Sequence, residues 1–123
     1  MAFTKYSKYS TSVIGIGLGL VFLANSYTAF VSPDEFNRLI SESFLVGFLP
    51  VSLDLFVKFI GVSDGIVAAL LLIRKGQKYV AVYASLWIVG VMVVIGIKEP
   101  ADLLEHFGGL SMAIYLILNR LPK

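Results

Sequence analysis

The chain has 123 residues, of which 58% are hydrophobic and only 15% are charged, and its net charge at pH 7 is +2. Soluble domains average about 25% charged residues, so this composition is typical of a membrane protein, and the small net charge argues against nucleic-acid binding. The absence of cysteine excludes disulfides, cysteine-held iron–sulfur clusters and thioether-linked haem. With a single histidine there is no bis-histidine haem site either, so we expect no intrinsic cofactor.

The first long apolar run covers residues 13–31 and contains no charge. A hydrocarbon core of about 30 Å needs about 20 helical residues, so this run predicts a first membrane span. Gly15 and Gly19 form a Gly-x-x-x-Gly pair, which is typical of membrane helices that pack closely. Asn25, in the last third of the run, is a candidate for hydrogen bonds across helices or to a ligand.

An amphipathic segment follows at residues 33–49. Ser32, Pro33 and Glu35 have the order of an N-cap, a first helical residue and the acid of a capping box. The pattern predicts an interfacial helix that lies flat on the membrane and ends before Pro50. Its apolar face is made of five residues at near-helical spacing: Phe36, Leu39, Ile40, Phe44 and Phe48.

The second predicted span, residues 55–73, carries charges inside an apolar run. A charge within a bilayer costs on the order of 3 kcal/mol, so it normally points into the bundle and marks a site or an internal contact. Gly61 and Gly65 provide a second pair of small residues for close packing. Residues spaced alternately four and three apart predict one stripe of polar and small residues along this helix, and Asp64 lies beside it. The stripe consists of Asp54, Lys58, Gly61, Gly65 and Ala68.

Residues 79–97 form the third predicted span, without charge, and residues 101–118 form the fourth, which contains Glu105 and His106. Pro100 at the start of the fourth span is well placed for a first helical residue. The sequence thus predicts an all-α integral membrane four-helix bundle. It forms a single domain over residues 1–123, with the interfacial helix between the first and second spans.

The basic residues predict the orientation of this bundle. The start of the chain, the turn at 74–78 and the end of the chain carry seven lysines and arginines and no acid, whereas the other side is mainly acidic. By the positive-inside rule, both termini are expected on the cytoplasmic side of the cell membrane. The seven residues are Lys5, Lys8, Arg74, Lys75, Lys78, Arg120 and Lys123.

Antiparallel spans place Asn25, Lys58 and His106 in the outer third and Asp64 near the middle. The positions of these four residues predict a ligand-binding pocket that opens outward, with Asp64 at its floor. Simpler interpretations stay open for each residue. Lys58 can reach the headgroups or pair with Asp54. Asp64 can hold two helices together by a hydrogen bond. His106 can be an ordinary interface residue, since there is no second histidine or cysteine for a metal site.

Three stretches together resemble the DoxX-like family of small four-helix membrane proteins, over nearly the whole chain. They are GIGLGLVFLANSYTAFVSPDEF, FIGVSDGIVAALLLIRKGQK and EPADLLEHFGGLSMAIYL. Family members usually carry Glu where Asp64 stands, and often an Arg-Asp pair where this chain has Glu105 and His106. The resemblance implies an accessory membrane subunit near quinone chemistry, with redox-complex subunits as partners, rather than a catalyst.

Three functions follow as hypotheses. The first is an accessory subunit that binds a quinone or a lipid headgroup through Asn25, Lys58, Asp64 and His106. The second is a small proton-coupled transporter with Asp64 as the carboxyl group that carries the proton. The third is a purely structural membrane subunit. The glycine-rich faces also make a homo-oligomer plausible.

Overall fold

Five α-helices and two short 3₁₀ segments make up the chain in a computed structural model, which describes residues 2–119 and the side chains of residues 9–119. The architecture is all-α, as the sequence predicts. The α-helices are α1 (Ala2–Val31), α2 (Asp34–Ser41), α3 (Leu53–Leu72), α4 (Gln77–Ile95) and α5 (Pro100–Leu118), and the 3₁₀ segments are Phe44–Phe48 and Gly96–Lys98.

Four of these helices are long and apolar enough to cross a membrane, which agrees with the predicted number of candidate spans. The apolar stretches are Tyr9–Val31, Leu53–Leu72, Gln77–Lys98 and Pro100–Leu118. Each boundary lies within a few residues of its prediction. Pro100 is the first residue of α5, as expected from its missing N–H and fixed φ.

The prediction of one helix over residues 33–49 is wrong in its extent. The helix α2 ends at Ser41, and a separate 3₁₀ segment begins at Phe44. Ser43 makes this break, because its hydroxyl accepts a hydrogen bond from the N–H of Leu45 and donates one to the carbonyl of Ile40. The predicted capping by Ser32 is also wrong, since Pro33 occupies the N-cap without a side-chain hydrogen bond.

The spans are arranged in the order α3, α1, α5, α4, and the ring closes where α4 meets α3. The most extensive contacts join α1 to α3 and α4 to α5, whereas α3 and α4 touch over a smaller area. The helix α2 packs across one end of the bundle, against α3 and α4. We call this the α2 end, and the opposite end, with the turn between α3 and α4, the turn end.

Two apolar clusters fill the bundle, one above the other. The cluster toward the turn end draws on all four spans and includes Leu18, Leu71 and Leu116. The cluster toward the α2 end joins Ala29, Ile40, Val57 and Ile60. Ile40 therefore inserts the apolar face of α2 into the bundle, which explains why this short helix is held in place.

Candidate functional site

Asp64 lies in the middle of α3, between the two apolar clusters. Its neighbours along the buried face are Ile60, in one cluster, and Val67, in the other. The residue is only 2% exposed, and its Oδ1 atom accepts no hydrogen bond. An unsatisfied polar atom in an apolar interior costs free energy, so this carboxyl group needs an explanation beyond packing.

Trp87 on α4 faces this carboxyl group. Its indole N–H is a hydrogen-bond donor beside Asp64, but Oδ1 of the carboxyl group accepts no hydrogen bond. The indole also packs against both apolar clusters. Trp87 therefore connects the buried acid of α3 to the neighbouring helix at the level where the two clusters meet.

Two further side chains continue this polar strip toward the surface. The rings of Tyr83 and Trp87, one helical turn apart, are stacked with centroids 6.2 Å apart. The hydroxyl oxygens of Tyr83 and Ser63 lie 2.7 Å apart in an exposed hydrogen bond between α4 and α3. We call this group the seam: Ser63, Asp64, Tyr83 and Trp87.

The seam lies along the contact between α3 and α4, which is less extensive than the contacts of α1 with α3 and of α4 with α5. Because α3 and α4 touch over a small area, their interface depends on few side chains. The seam runs from a buried carboxyl group to an exposed tyrosine, and it contains two stacked aromatic rings. This arrangement combines hydrogen-bonding groups with a flat apolar surface, the chemistry that small-molecule sites generally use.

On the other side of α3, glycines let α1 approach closely. Ser26 donates a hydrogen bond of 2.7 Å to the carbonyl oxygen of Gly61. A Cβ atom on Gly65 would stand 3.0 Å from the same Ser26 hydroxyl, and one on Gly61 would overlap the ring of Phe30. These two glycines therefore lie where the backbones of α1 and α3 come together.

The glycines of the first span occupy similar positions. A Cβ atom on Gly19 would stand 3.1 Å from two side-chain atoms of Leu72, and one on Gly15 would overlap the amide of Gln77. Gln77 is 8% exposed, and neither of its amide atoms has a hydrogen-bond partner. Gly15 thus makes room for a second buried polar group, at the turn end.

Lys58 lies on a different face from the one predicted. Asp54 and Lys58 are exposed, and their side chains form an ion pair of 3.3 Å one helical turn apart. The buried face of α3 instead runs through Val57, Gly61 and Asp64. The predicted stripe is therefore wrong at the α2 end, because Asp54 and Lys58 fall to one side of the buried face while Asp64 falls in its centre.

The structure does not bring the other predicted ligand-binding residues together with Asp64 by hydrogen bonds. The Nδ1 atom of His106 lies 2.7 Å from the backbone oxygen of Asp102, within its own helix. Asn25 is half-buried, and it makes no hydrogen bond to Asp64, Lys58 or His106. Of the four predicted residues, Asp64 alone lies in the seam.

Ser63, Tyr83 and Trp87 were not among the site residues predicted from the sequence. A signal was available, because Tyr83 and Trp87 are four residues apart and so share one face of α4. The spacing does not show, however, that this face of α4 is turned toward Asp64 on α3. Among residues 2–119, there is no group of three or more histidine, cysteine, aspartate or glutamate side chains that could hold a metal ion.

Outside the spans, Arg38 organises the charges of the α2 end. Its guanidinium pairs with Glu35 on α2, with Glu42 at the C-cap of α2 and, at 3.0 Å, with Glu99 before α5. The hydrogen bond from Arg38 holds the pKa of Glu35 below its ordinary value. The hydrogen bonds to Glu35 and Glu99 in turn raise the pKa of Arg38. These contacts tie α2 to the connection between α4 and α5.

Fold and site together define an all-α protein with four candidate membrane spans and a buried acid at the seam between two of them. Comparison of the chain with protein-family models, with curated proteins and with solved structures finds no match.

Proposed function

We propose that this protein is a membrane-embedded binding protein for a lipid-soluble ring compound with carbonyl or hydroxyl oxygens, of which quinones are the leading class. The observation that carries the proposal is the buried Asp64, whose Oδ1 atom has no hydrogen-bond partner. A quinol hydroxyl would satisfy this oxygen by donating to it, and the protonated carboxyl group would itself donate to the carbonyl of a quinone. The ring of the ligand would then lie against Tyr83 and Trp87.

The position of the seam favours entry from the bilayer. Tyr83 is 43% exposed on the flank of a helix that is long and apolar enough to span the membrane. A lipid-soluble molecule reaches such a surface from the hydrocarbon core without crossing water. This differs from the outward-facing pocket predicted from the sequence, which relied on Lys58 and His106.

The role in the cell would be that of an accessory subunit. The chain has no cysteine and one histidine, so it offers few ligands for a redox metal. The resemblance to the DoxX-like family agrees with a non-catalytic subunit that binds quinone beside a membrane redox complex. In this proposal both termini are cytoplasmic, the α2 end faces outward, and α2 lies at the membrane interface.

The single tryptophan provides a direct test. Trp87 is the only tryptophan of the chain, so the fluorescence of the purified protein reports on the seam. A short-chain benzoquinone titrated into the protein in lipid nanodiscs should quench this fluorescence with saturation. Asp64→Leu should weaken binding by at least about tenfold, a loss of about 1.4 kcal/mol. Lys58→Gln is the matched control, because Lys58 is exposed and paired with Asp54.

A linear, non-saturating decrease would mean that the quinone only dissolves in the bilayer, and it would contradict the proposal. So would equal binding by the Asp64→Leu variant. Mass spectrometry of the protein purified in mild detergent would identify the natural ligand, which should be absent from the same variant.

The alternative functions predict different results. A proton-coupled transporter would move substrate in reconstituted vesicles only under a proton gradient, and Asp64→Asn would abolish this movement. A structural subunit would show altered assembly in the Asp64→Asn variant, with every ligand measurement unchanged.

A further inference from the structure

The helix α5 combines two properties that oppose each other in a lipid environment. Its apolar stretch has the lowest mean hydropathy of the four spans, and it also has the smallest buried share, 17% against 44% for α3. The least apolar span of an isolated bundle would thus present most of its surface to lipid tails. Polar groups in spans normally face protein or water, so this surface calls for a protein neighbour.

The exposed face of α5 carries a carboxylate and small residues. Glu105 is exposed and has no ion pair or hydrogen bond in the part of the chain with described side chains. On the same face, Gly108 is exposed, and a Cβ atom there would meet nothing within 4 Å. Gly108 therefore has no packing role within the bundle, unlike Gly19 or Gly61.

The complementary charge lies on α3. Lys58 is 61% accessible, and it pairs at 3.3 Å with Asp54, which is itself 71% accessible, so its ammonium group stays open to a second carboxylate. Both Lys58 and Glu105 are the sixth residue of a helix that begins at the α2 end, so each lies about 7.5 Å along its helix from that end. The two charges thus have opposite sign and equal depth in the membrane.

The two helices face in different directions. In the ring of four spans, α3 and α5 occupy opposite corners, since each packs between α1 and α4. Lys58 and Glu105 of one copy thus lie on helices at opposite corners, and these two described side chains form no ion pair with each other. In two copies that stand side by side with the same orientation, the α3 face of one can meet the α5 face of the other.

We propose that this chain associates with further copies of itself in a head-to-tail manner, with Lys58 of one copy paired with Glu105 of the next. Such an interface joins two different faces, so repetition closes into a ring or continues as a row. Gly108 allows the neighbouring helix to approach, as small residues do between membrane helices. Contact between the two helices shields the ion pair from water, which makes it stronger than a fully exposed pair.

The chain contains no cysteine, so disulfide cross-links can form only between cysteines introduced by mutation. Two single-cysteine variants, Lys58→Cys and Glu105→Cys, are mixed in lipid vesicles and oxidised. The expected result is a cross-linked dimer in the mixture and none in either variant alone. Val93→Cys is the matched control, because Val93 is exposed near the same end on α4. It should give no cross-link with Glu105→Cys.

Charge reversal supplies a second, independent measurement. Lys58→Glu and Glu105→Lys should each weaken self-association in vesicles by about tenfold, measured by energy transfer between labelled copies. The double variant Lys58→Glu/Glu105→Lys should restore it, since each interface then regains one charge of each sign. Only association between copies predicts this rescue, because a different partner protein would keep its own charges.

The proposal would be overturned by an unmodified chain that is monomeric in vesicles at all protein densities, by a cross-link between two Glu105→Cys chains, or by no recovery in the double variant. A partner of another kind would show itself by cross-linking Glu105→Cys to a different protein in native membranes, and that result too would overturn it.

Discussion

Ser26 on α1 donates a hydrogen bond of 2.7 Å to the backbone oxygen of Gly61 on α3. Ser26 is 9% exposed, so the bond lies in the interior of the most extensive helix–helix contact of the bundle. Gly61 supplies a carbonyl that the serine reaches because no side chain stands in between. Gly65, one turn further, accommodates the same hydroxyl. The contact between α1 and α3 is thus both close and polar.

Replacing Ser26 with alanine should lower the free energy of unfolding by about 0.6 kcal/mol, the average for hydrogen bonds between membrane helices, and by no more than about 1.7 kcal/mol, their maximum. Thr28→Ala is the matched control, because Thr28 donates only to Ala24 in its own helix. Equilibrium unfolding in mixed detergent micelles measures both. An equal decrease in the free energy of unfolding of the two variants would mean that the hydrogen bond from Ser26 to Gly61 does not stabilise the contact between α1 and α3.

The glycines were predictable because their spacing is a local property of the sequence. Gly15 and Gly19, and likewise Gly61 and Gly65, lie four residues apart, and each pair occupies one face of its helix. The rotation of that face relative to the charged residues was not predictable in the same way. Asp54 and Lys58 begin α3, where a helix can present charges toward the headgroup region, so the stripe through them did not mark the interior.

The packing of Gly19 leads to a second prediction. Gly19→Leu should lower the free energy of unfolding by about 1–3 kcal/mol, because atoms of Leu71 and Leu72 stand within 3.3 Å of the first added carbon. Gly90→Leu should leave the free energy of unfolding unchanged or raise it slightly. Nothing lies within 4 Å of a Cβ atom at that position, and leucine has a higher helix propensity than glycine. The same detergent titration compares them. Similar behaviour of both variants would contradict the close contact at Gly19.

A third prediction separates the ligand-binding and structural interpretations of Asp64. If this residue serves a ligand, Asp64→Val should raise the free energy of unfolding of the ligand-free protein by about 1 kcal/mol or more, because it removes an unsatisfied buried polar atom. Quinone-dependent quenching of Trp87 should be lost in parallel. A destabilised variant would instead identify Asp64 as a structural hydrogen-bonding residue between α3 and α4.

The α2 region shows where local sequence patterns stop being sufficient. Its helical periodicity continues from Phe36 to Phe48, so the pattern predicts one helix. The hydroxyl of Ser43 competes for backbone groups and divides the segment. The ion pair between Arg38 and Glu99, 61 residues apart, depends on how α2 packs against the bundle and has no signature in the sequence.

The charges around Arg38 give the last prediction. Arg38 holds the pKa of Glu35 below its ordinary value of 4.5. A lowered pKa means that the contribution to stability is fully present above pH 4.5 and is lost as the pH falls through the lowered value. Hydrogen exchange of the α2 amides in nanodiscs, corrected for the intrinsic rate, should therefore show constant protection from pH 7 to about 5. Below about pH 4.5, protection should decrease.

Arg38→Gln should reduce this protection at pH 7 and remove most of its dependence on pH, because the ion pairs to Glu35 and Glu99 are both lost. Lys98→Gln is the matched control, since Lys98 lies beside Glu99 but forms no ion pair within the described side chains. The amide of Leu71, at the turn end of α3, provides the internal reference, because it lies in the apolar cluster away from α2. Unchanged protection of α2 in the Arg38→Gln variant would show that Ile40 and its apolar neighbours alone hold the helix.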